Sequence, residues 1–295
     1  MIRFSKYLWI YFFISTIVVV PGTYSLIRYG LKPAVDFTGG TLLELKVKPV
    51  ITQQKIESEA ESQKLELSSI QKSGVDSYLL RTKSADNDKL TAFSKNLNNE
   101  ATGAAIITRQ DSVGPVLGRE LLTKAMWAAL IAILAIFAYV AYAFRDLKFG
   151  AGAIVALLHD LLVVVGCFSI FGHLWNVEVD ALFVTAFLTT MSFSVHDTIV
   201  VFDRTREYVK KGTKLPFDEI TDLAMTETIG RSLANSLTII FMLLALVLLG
   251  GETTKWFVTA LLIGTVSGTY SSPFVATPVL ILWDRWEKKR KKLPR

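Results

Sequence analysis

Met191-Ser-Phe-Ser-Val-His-Asp-Thr-Ile-Val-Val-Phe-Asp-Arg-Thr-Arg-Glu207 begins inside a long apolar segment and ends in a dense cluster of charge. Between the two sits Asp197, a carboxylate in a helix otherwise built for lipid. A charge at such depth is costly unless it is paired, hydrated or protonated, and it marks a functional position. The stretch therefore predicts a membrane-spanning helix whose Asp197 titrates as part of a transport cycle.

The rest of the chain supports a membrane reading. Of 295 residues, 51% are apolar, which is no more than an average soluble domain carries. The arrangement decides the matter, because the apolar residues fall in blocks near the ~20 residues needed to cross the ~30 Å hydrocarbon layer. The formal net charge of +6 could serve nucleic acid, but the Lys and Arg gather at the ends of apolar blocks. That distribution is a topology signal and argues against a nucleic-acid partner. Cys167 is the one cysteine, so no internal disulfide forms.

Six blocks are expected to span: about 8–27, 122–144, 150–171, 181–202, 233–249 and 256–283. A cleaved signal peptide is the alternative for the first, but its apolar run passes Val20 without a small-residue cleavage site. Pro21-Gly22 should kink or end that helix. Arg145, Lys148, Arg204, Arg206, Lys210, Lys211, Lys214 and the run Arg285–Arg295 cluster on one side, whereas 172–180 has no Lys or Arg and 250–255 only Lys255. Positive charge marks the cytoplasmic side, so both termini are expected there, in a bacterial plasma (inner) membrane.

Residues 1–29 are thus the cytoplasmic N-terminus and first span, and 122–283 hold spans 2–6. The basic tail 284–295 is expected to rest on anionic headgroups or in solvent. A segment at about 203–230 is too polar to span and suggests a cytoplasmic amphipathic helix, with Phe217, Ile220, Leu223, Ala224 and Ile229 on one face. The extracytoplasmic segment 30–121 is balanced in charge, with twelve basic and twelve acidic residues, and long enough for one small core. Its pattern predicts a strand at 41–47, a helix at 52–65 with Thr52 as N-cap, a hairpin of 68–72 and 77–82 around Gly74-Val75-Asp76, a helix at 86–97 and a strand at 104–109. The order βαββαβ is that of a ferredoxin-like α+β domain.

For chemistry, Asp197 lies ~25 Å along its helix from Asp180 at 1.5 Å per residue. Arg231 opens the next span from the same side, so the two are expected at matched depth. A pair that makes and breaks would drive proton uptake and release; a static bridge between helices is the alternative. His159 and Asp160 at mid-span are either a relay or a buried network. His196 adjoins Asp197 but points ~100° away. Thr185, Thr189, Thr190, Ser192, Ser194 and Thr198 form a polar stripe, and Gly264-x-x-x-Gly268 a small face for helix packing. The three histidines lie on different elements or depths, so no metal site or cofactor is expected. Enzyme motifs are missing: no Gly-x-Ser-x-Gly, no phosphate-cradling loop, no His-Glu-x-x-His. An intramembrane aspartyl protease would need a glycine pattern where Ser194-Val-His196 stands.

The chain resembles the SecF family, the smaller-subunit branch of the SecD–SecF accessory complex of bacterial protein export. Val35-Asp-Phe-Thr-Gly-Gly-Thr41 resembles the family signature, carried here by Asp36, Phe37, Thr38, Gly39 and Gly40. Val113-Gly-Pro-Val-Leu-Gly118, His196-Asp-Thr-Ile-Val-Val-Phe-Asp-Arg-Thr-Arg-Glu207 (with Asp203, Arg204, Arg206 and Glu207) and 226–233 are similar to further family segments. Ser192 and His196 depart from the usual Gly and Asn. The resemblance implies proton-driven machinery of the resistance-nodulation-division type, with Asp197 and Arg231 in proton conduction. It implies a SecD-like subunit, the Sec translocon channel, an exported unfolded polypeptide and membrane lipids as partners. A structural assembly subunit, or a half-transporter for lipid or drug, are the competing readings.

Overall fold

The computed structural model describes residues 3–47, 51–72, 76–82, 87–99 and 105–292. It divides into two compact units, Pro33–Met126 and Met1–Lys32 with Trp127–Arg295. In chain order the helices are α1 (Leu8–Tyr29), α2 (Val35–Thr38), α3 (Gln53–Ser62), α4 (Asn87–Asn99), α5 (Pro115–Phe144), α6 (Leu147–Trp175), α7 (Ala181–Lys210), α8 (Phe217–Leu249), α9 (Glu252–Ser271) and α10 (Thr277–Lys292). The strands are β1 (Gly40–Val47), β2 (Leu67–Lys72), β3 (Ser77–Thr82) and β4 (Ala105–Val113).

In the smaller unit, Leu43, Leu45 and Val47 alternate along β1 and point inward, as a period of two demands. The sheet order is β2-β3-β1-β4, with Leu43 opposite Leu80 on β3 and Gln110 on β4. Both pairings are antiparallel. Ile56 and Ala60 of α3 and Leu90 and Phe93 of α4 close over the same core. The expected hairpin is present as β2 and β3, but Gly74-Val75 at its tip, and the expected element ends at 86 and 104, lie outside the described residues. Thr52 precedes α3 in extended conformation, yet its hydroxyl does not cap the helix.

The pair Gly39-Gly40 is conformational. Gly39 has φ 75° and Gly40 φ 140°, and a Cβ on Gly40 would lie 2.6 Å from the Thr82 carbonyl oxygen. The short helix α2 just before it carries Asp36, Phe37 and Thr38, with Phe37 buried. Gly118 of α5 meets this turn so closely that a Cβ there would stand 2.8 Å from the Phe37 carbonyl oxygen.

In the larger unit, five helices are long and apolar enough to cross a membrane: α1, residues 116–144 of α5, α6, α7 and α8. In α6 and α7, 50% and 44% of the most apolar window is buried, against 17% in α1 and 11% in α5 and α8, so α6 and α7 form the centre. The expected sixth block is divided: a π-helical turn at Ser272–Ala276, with Pro273 inside it, separates α9 from α10. Neither half meets that length and apolarity by itself, because α9 is interspersed with Thr, Ser and Gly.

Two expectations change here. Pro21 does not end the first helix, which runs on to Tyr29. Gly22, beside it, packs backbone to backbone on α6, where a Cβ would lie 2.9 Å from the Gly166 Cα. Ser25 Oγ and Ser169 Oγ, 2.9 Å apart, join the same two helices. The segment 203–230 is not a separate amphipathic helix. No Gly or Pro interrupts 203–210, so α7 continues to Lys210; only 211–216, with Gly212 and Pro216, breaks the path before α8 begins. Its apolar residues Phe217, Ile220, Ala224 and Met225 are buried in the bundle and do not form a free face.

Candidate functional site

Asp197 is 7% exposed on α7, with its face turned toward α8 and α9. Its Oδ2 accepts a hydrogen bond from Ser236 Oγ of α8 at 3.1 Å. Ser232, one turn earlier on α8, lines with Asp197 a cavity of about 290 Å³ whose other walls include Met225, Ile229 and Tyr270. Next to it, Thr198 Oγ1 bonds its own helix at the Ser194 carbonyl and meets Ser272 Oγ of the π-turn at 2.8 Å.

Arg231 and Asp197, expected as a pair that makes and breaks, are apart in this structure. Arg231 is exposed, and Glu227, about one turn before it on α8, is paired with Arg204. Five residues on a helix of 3.6 per turn set Arg231 about 140° around α8 from Ser236, the residue that does reach Asp197. Rotational phase, not position along the helix, sets Ser236 and not Arg231 against Asp197. His196 is exposed.

Asp160 of α6 is 0% exposed and more fully bonded. Ser267 Oγ donates to Oδ1 at 2.6 Å, Ser271 Oγ to Oδ2 at 2.6 Å, and His159 Nδ1 lies 3.0 Å from Oδ1. Both serines come from α9, so the carboxylate fastens α6 to α9. The neighbouring His159 has its Nε2 buried without a protein partner, and its ring lies 6.2 Å from Tyr270 between centroids. Tyr270 in turn donates to the Tyr11 carbonyl at 3.0 Å.

The charged end of α7 bonds between helices. Arg204 Nε donates to Glu227 Oε2 of α8 at 2.6 Å, and the same guanidinium bonds Glu207. Arg206 donates to the Ala143 carbonyl at the end of α5 at 2.8 Å. Asp203 is exposed. Gly264 and Gly268 of α9 press on α7: a Cβ on Gly264 would lie 2.3 Å from Thr190 Oγ1, and one on Gly268 3.1 Å from the Ser194 Cα. Thr185 and Thr189 bond carbonyls of their own helix.

Sequence reasoning missed the serines that hold both carboxylates. It also missed Asp222 of α8, 1% exposed, which accepts from the Ser5 amide at 2.8 Å and hydroxyl at 2.7 Å and ties down the chain before α1. Serines spaced four apart (232 and 236, 267 and 271) were the available signal, since that spacing sets both on one helix face. No group of three or more metal-ligating side chains occurs among the described residues.

Comparison with known proteins gives two family matches: "Protein export membrane protein SecD/SecF, C-terminal" over residues 93–286 and "SecD/SecF GG Motif" over 24–49. The Protein translocase subunit SecF of Thermobaculum terrenum is 38% identical, with 96% of this chain and 94% of that one covered. That of Anaerolinea thermophila is 37% identical, over 95% and 93%. The crystal structure of SecDF, a translocon-associated membrane protein, from Thermus thermophilus superimposes with TM-score 0.85 at 27% identity, covering 96% of this chain and 39% of that one. SecDF in a super-membrane-facing form gives TM-score 0.72 at 26% identity, over 98% and 40%.

Proposed function

Because the chain belongs to the SecF family of protein translocase subunits, we propose that it uses the proton motive force to assist protein export, with Asp197 as the group that takes up and releases the proton. One observation carries this reading. Asp197 is buried at an apolar depth, accepts a hydrogen bond from Ser236 with the Ser232 hydroxyl close by, and opens on a cavity between α7, α8 and α9. A carboxylate left with spare acceptor capacity and adjacent space can change its protonation and its partners without dismantling the bundle. Arg231 is the cation that would meet Asp197 at another point of the cycle, and reaching it requires α8 to turn or slide.

The partners that go with this reading are a SecD-like subunit, the translocon channel and the unfolded exported chain. The topology has six spans, the last being α9 and α10 joined through the π-turn. Both termini are cytoplasmic and the plasma membrane is the site. The unit Pro33–Met126 is a ferredoxin-like domain on the outer side, supported by the order βαββαβ and the sheet order β2-β3-β1-β4. The chain carries out no covalent chemistry of its own. Asp160, held by a serine hydroxyl on each oxygen and flanked by His159, is a fixed clamp and not a relay.

The test is proton-dependent stimulation of export in vesicles containing the chain and its SecD-like partner. Asp197→Asn at normal subunit levels is expected to abolish the stimulation. Stimulation that persists would instead favour a structural subunit whose charges only hold helices together.

A further inference from the structure

A cavity of about 560 Å³ opens at the end of the bundle where α5, α6, α7, α8 and α10 meet. Its lining holds five cations (Arg145, Lys148, Arg206, Lys210 and Lys288) and two carboxylates (Asp146 and Asp284). The carboxylates are already engaged. Asp146 lies 3.3 Å from Lys148, and Asp284 lies 3.7 Å from Lys148 and 2.7 Å from Lys288. Arg145, Lys210 and the rest of the Arg206 fork therefore present positive charge to the cavity beyond what the two acids offset.

Part of the wall is apolar. Phe144, Phe149, Phe217 and Ile220 line the same space. Lys148 Nζ stands 4.9 Å from the Phe217 ring centroid, and the Arg206 guanidinium 5.7 Å from that of Phe144. Arg145 itself has φ 55°, the left-handed conformation at the end of α5 that a glycine adopts at less cost. A long cationic side chain at that position, beside a basic cavity, adds its charge to the site.

We propose that this cavity is a site for the headgroup of an anionic phospholipid. The phosphate would sit among Arg145, Arg206 and Lys210, as guanidinium and ammonium groups bind phosphate. The glycerol and first acyl carbons would lie on the phenylalanine walls. Basic cavities between spanning helices at the charged membrane face have this chemistry. The proposal rests on the membrane-spanning reading but not on proton coupling.

The full chain, purified in detergent with its SecD-like partner, is titrated with phosphatidylglycerol and with phosphatidylcholine, and bound lipid is counted by native mass spectrometry. Phosphatidylglycerol is expected to bind at least tenfold more tightly than phosphatidylcholine. Arg145→Gln with Lys210→Gln should lower that preference at least fivefold, and Arg145→Lys with Lys210→Arg should keep it. Lys255→Gln, at the opposite end of α8 and α9, should leave it unchanged. If the double variant does not fold, Lys210→Gln alone should give a two- to threefold loss. Equal affinity for the two lipids, an unchanged preference in the Gln variants, or displacement of lipid by equimolar inorganic phosphate would each overturn the proposal. A chain that leaves the membrane fraction without detergent would instead overturn the membrane reading beneath it.

Discussion

Asp160 on α6 and Asp197 on α7 are both carboxylates sunk among apolar helices, and they are treated differently. Asp160 is wholly buried, held by two serine hydroxyls at 2.6 Å and by the adjacent imidazole. Asp197 accepts from Ser236 at the longer distance of 3.1 Å and borders a cavity of about 290 Å³ that Ser232 also lines. A carboxylate whose two oxygens both hold short hydroxyl bonds resists a change of partner, because buried hydrogen bonds would be lost with it. One with a longer bond and space beside it has less to lose. The contrast separates a carboxylate built into the packing from one with room to change partners, although both were legible in the sequence only as carboxylates in apolar runs.

The sharpest way to break the comparison is to neutralise each residue in turn. One proton's charge crossing 100 mV is worth ~2.3 kcal/mol, or about fiftyfold in a conformational equilibrium. Asp197→Asn is expected to remove that bias, seen as loss of proton-dependent export at unchanged protein level. Asp160→Asn should keep most of the export activity, since an amide oxygen still accepts from a serine.

Truncation tests the clamp. Asp160→Ala removes the carboxylate that accepts from Ser267 and leaves Ser271 with the longer bond to the Gly268 carbonyl at 3.3 Å; it is expected to cost about 2 kcal/mol, measured by unfolding in detergent. Gly264→Val drives a side chain into Thr190, where even a Cβ would lie 2.3 Å away; overpacking there should cost about 1.5 kcal/mol in the same assay. The smallest effect is expected from Ser236→Ala, about 1 kcal/mol, read as a shift of a few-fold in the proton dependence of export with little change in stability. If Ser236→Ala destabilised the fold as much as Asp160→Ala, the two carboxylates would not differ in kind.

Much of this was legible in the chain. The apolar block lengths located α1 and α5 to α8, and the alternation at 41–47 with the turn signal near 74 located β1 and the hairpin. Asp197 was conspicuous because lipid-length helices rarely carry a carboxylate. Its partner was not legible. Counting residues gives depth to within a turn, but each residue also rotates the face by about 100°, so Arg231 and Ser236 are equally good candidates until α8 has a fixed phase. The path of 203–230 was misread for a related reason. An interfacial helix and the extension of a spanning helix share one periodicity, and only the uninterrupted run through Lys210 tells them apart. The clamp on Asp160 was hidden because its donors lie more than one hundred residues away in sequence.

The π-turn at Ser272–Ala276 has a consequence for everything that follows it. Such a turn is an α-helix holding one residue more than its geometry needs. The surplus residue sets the azimuth of α10, so Trp283, Asp284 and Lys288 face as they do by virtue of a single count in the chain. Absorbing the surplus would swing them together by about 100° and part Asp284 from Lys148, 3.7 Å away at present. The joint therefore has discrete stops, one residue apart, and the far end of this helix can be re-aimed only by whole steps.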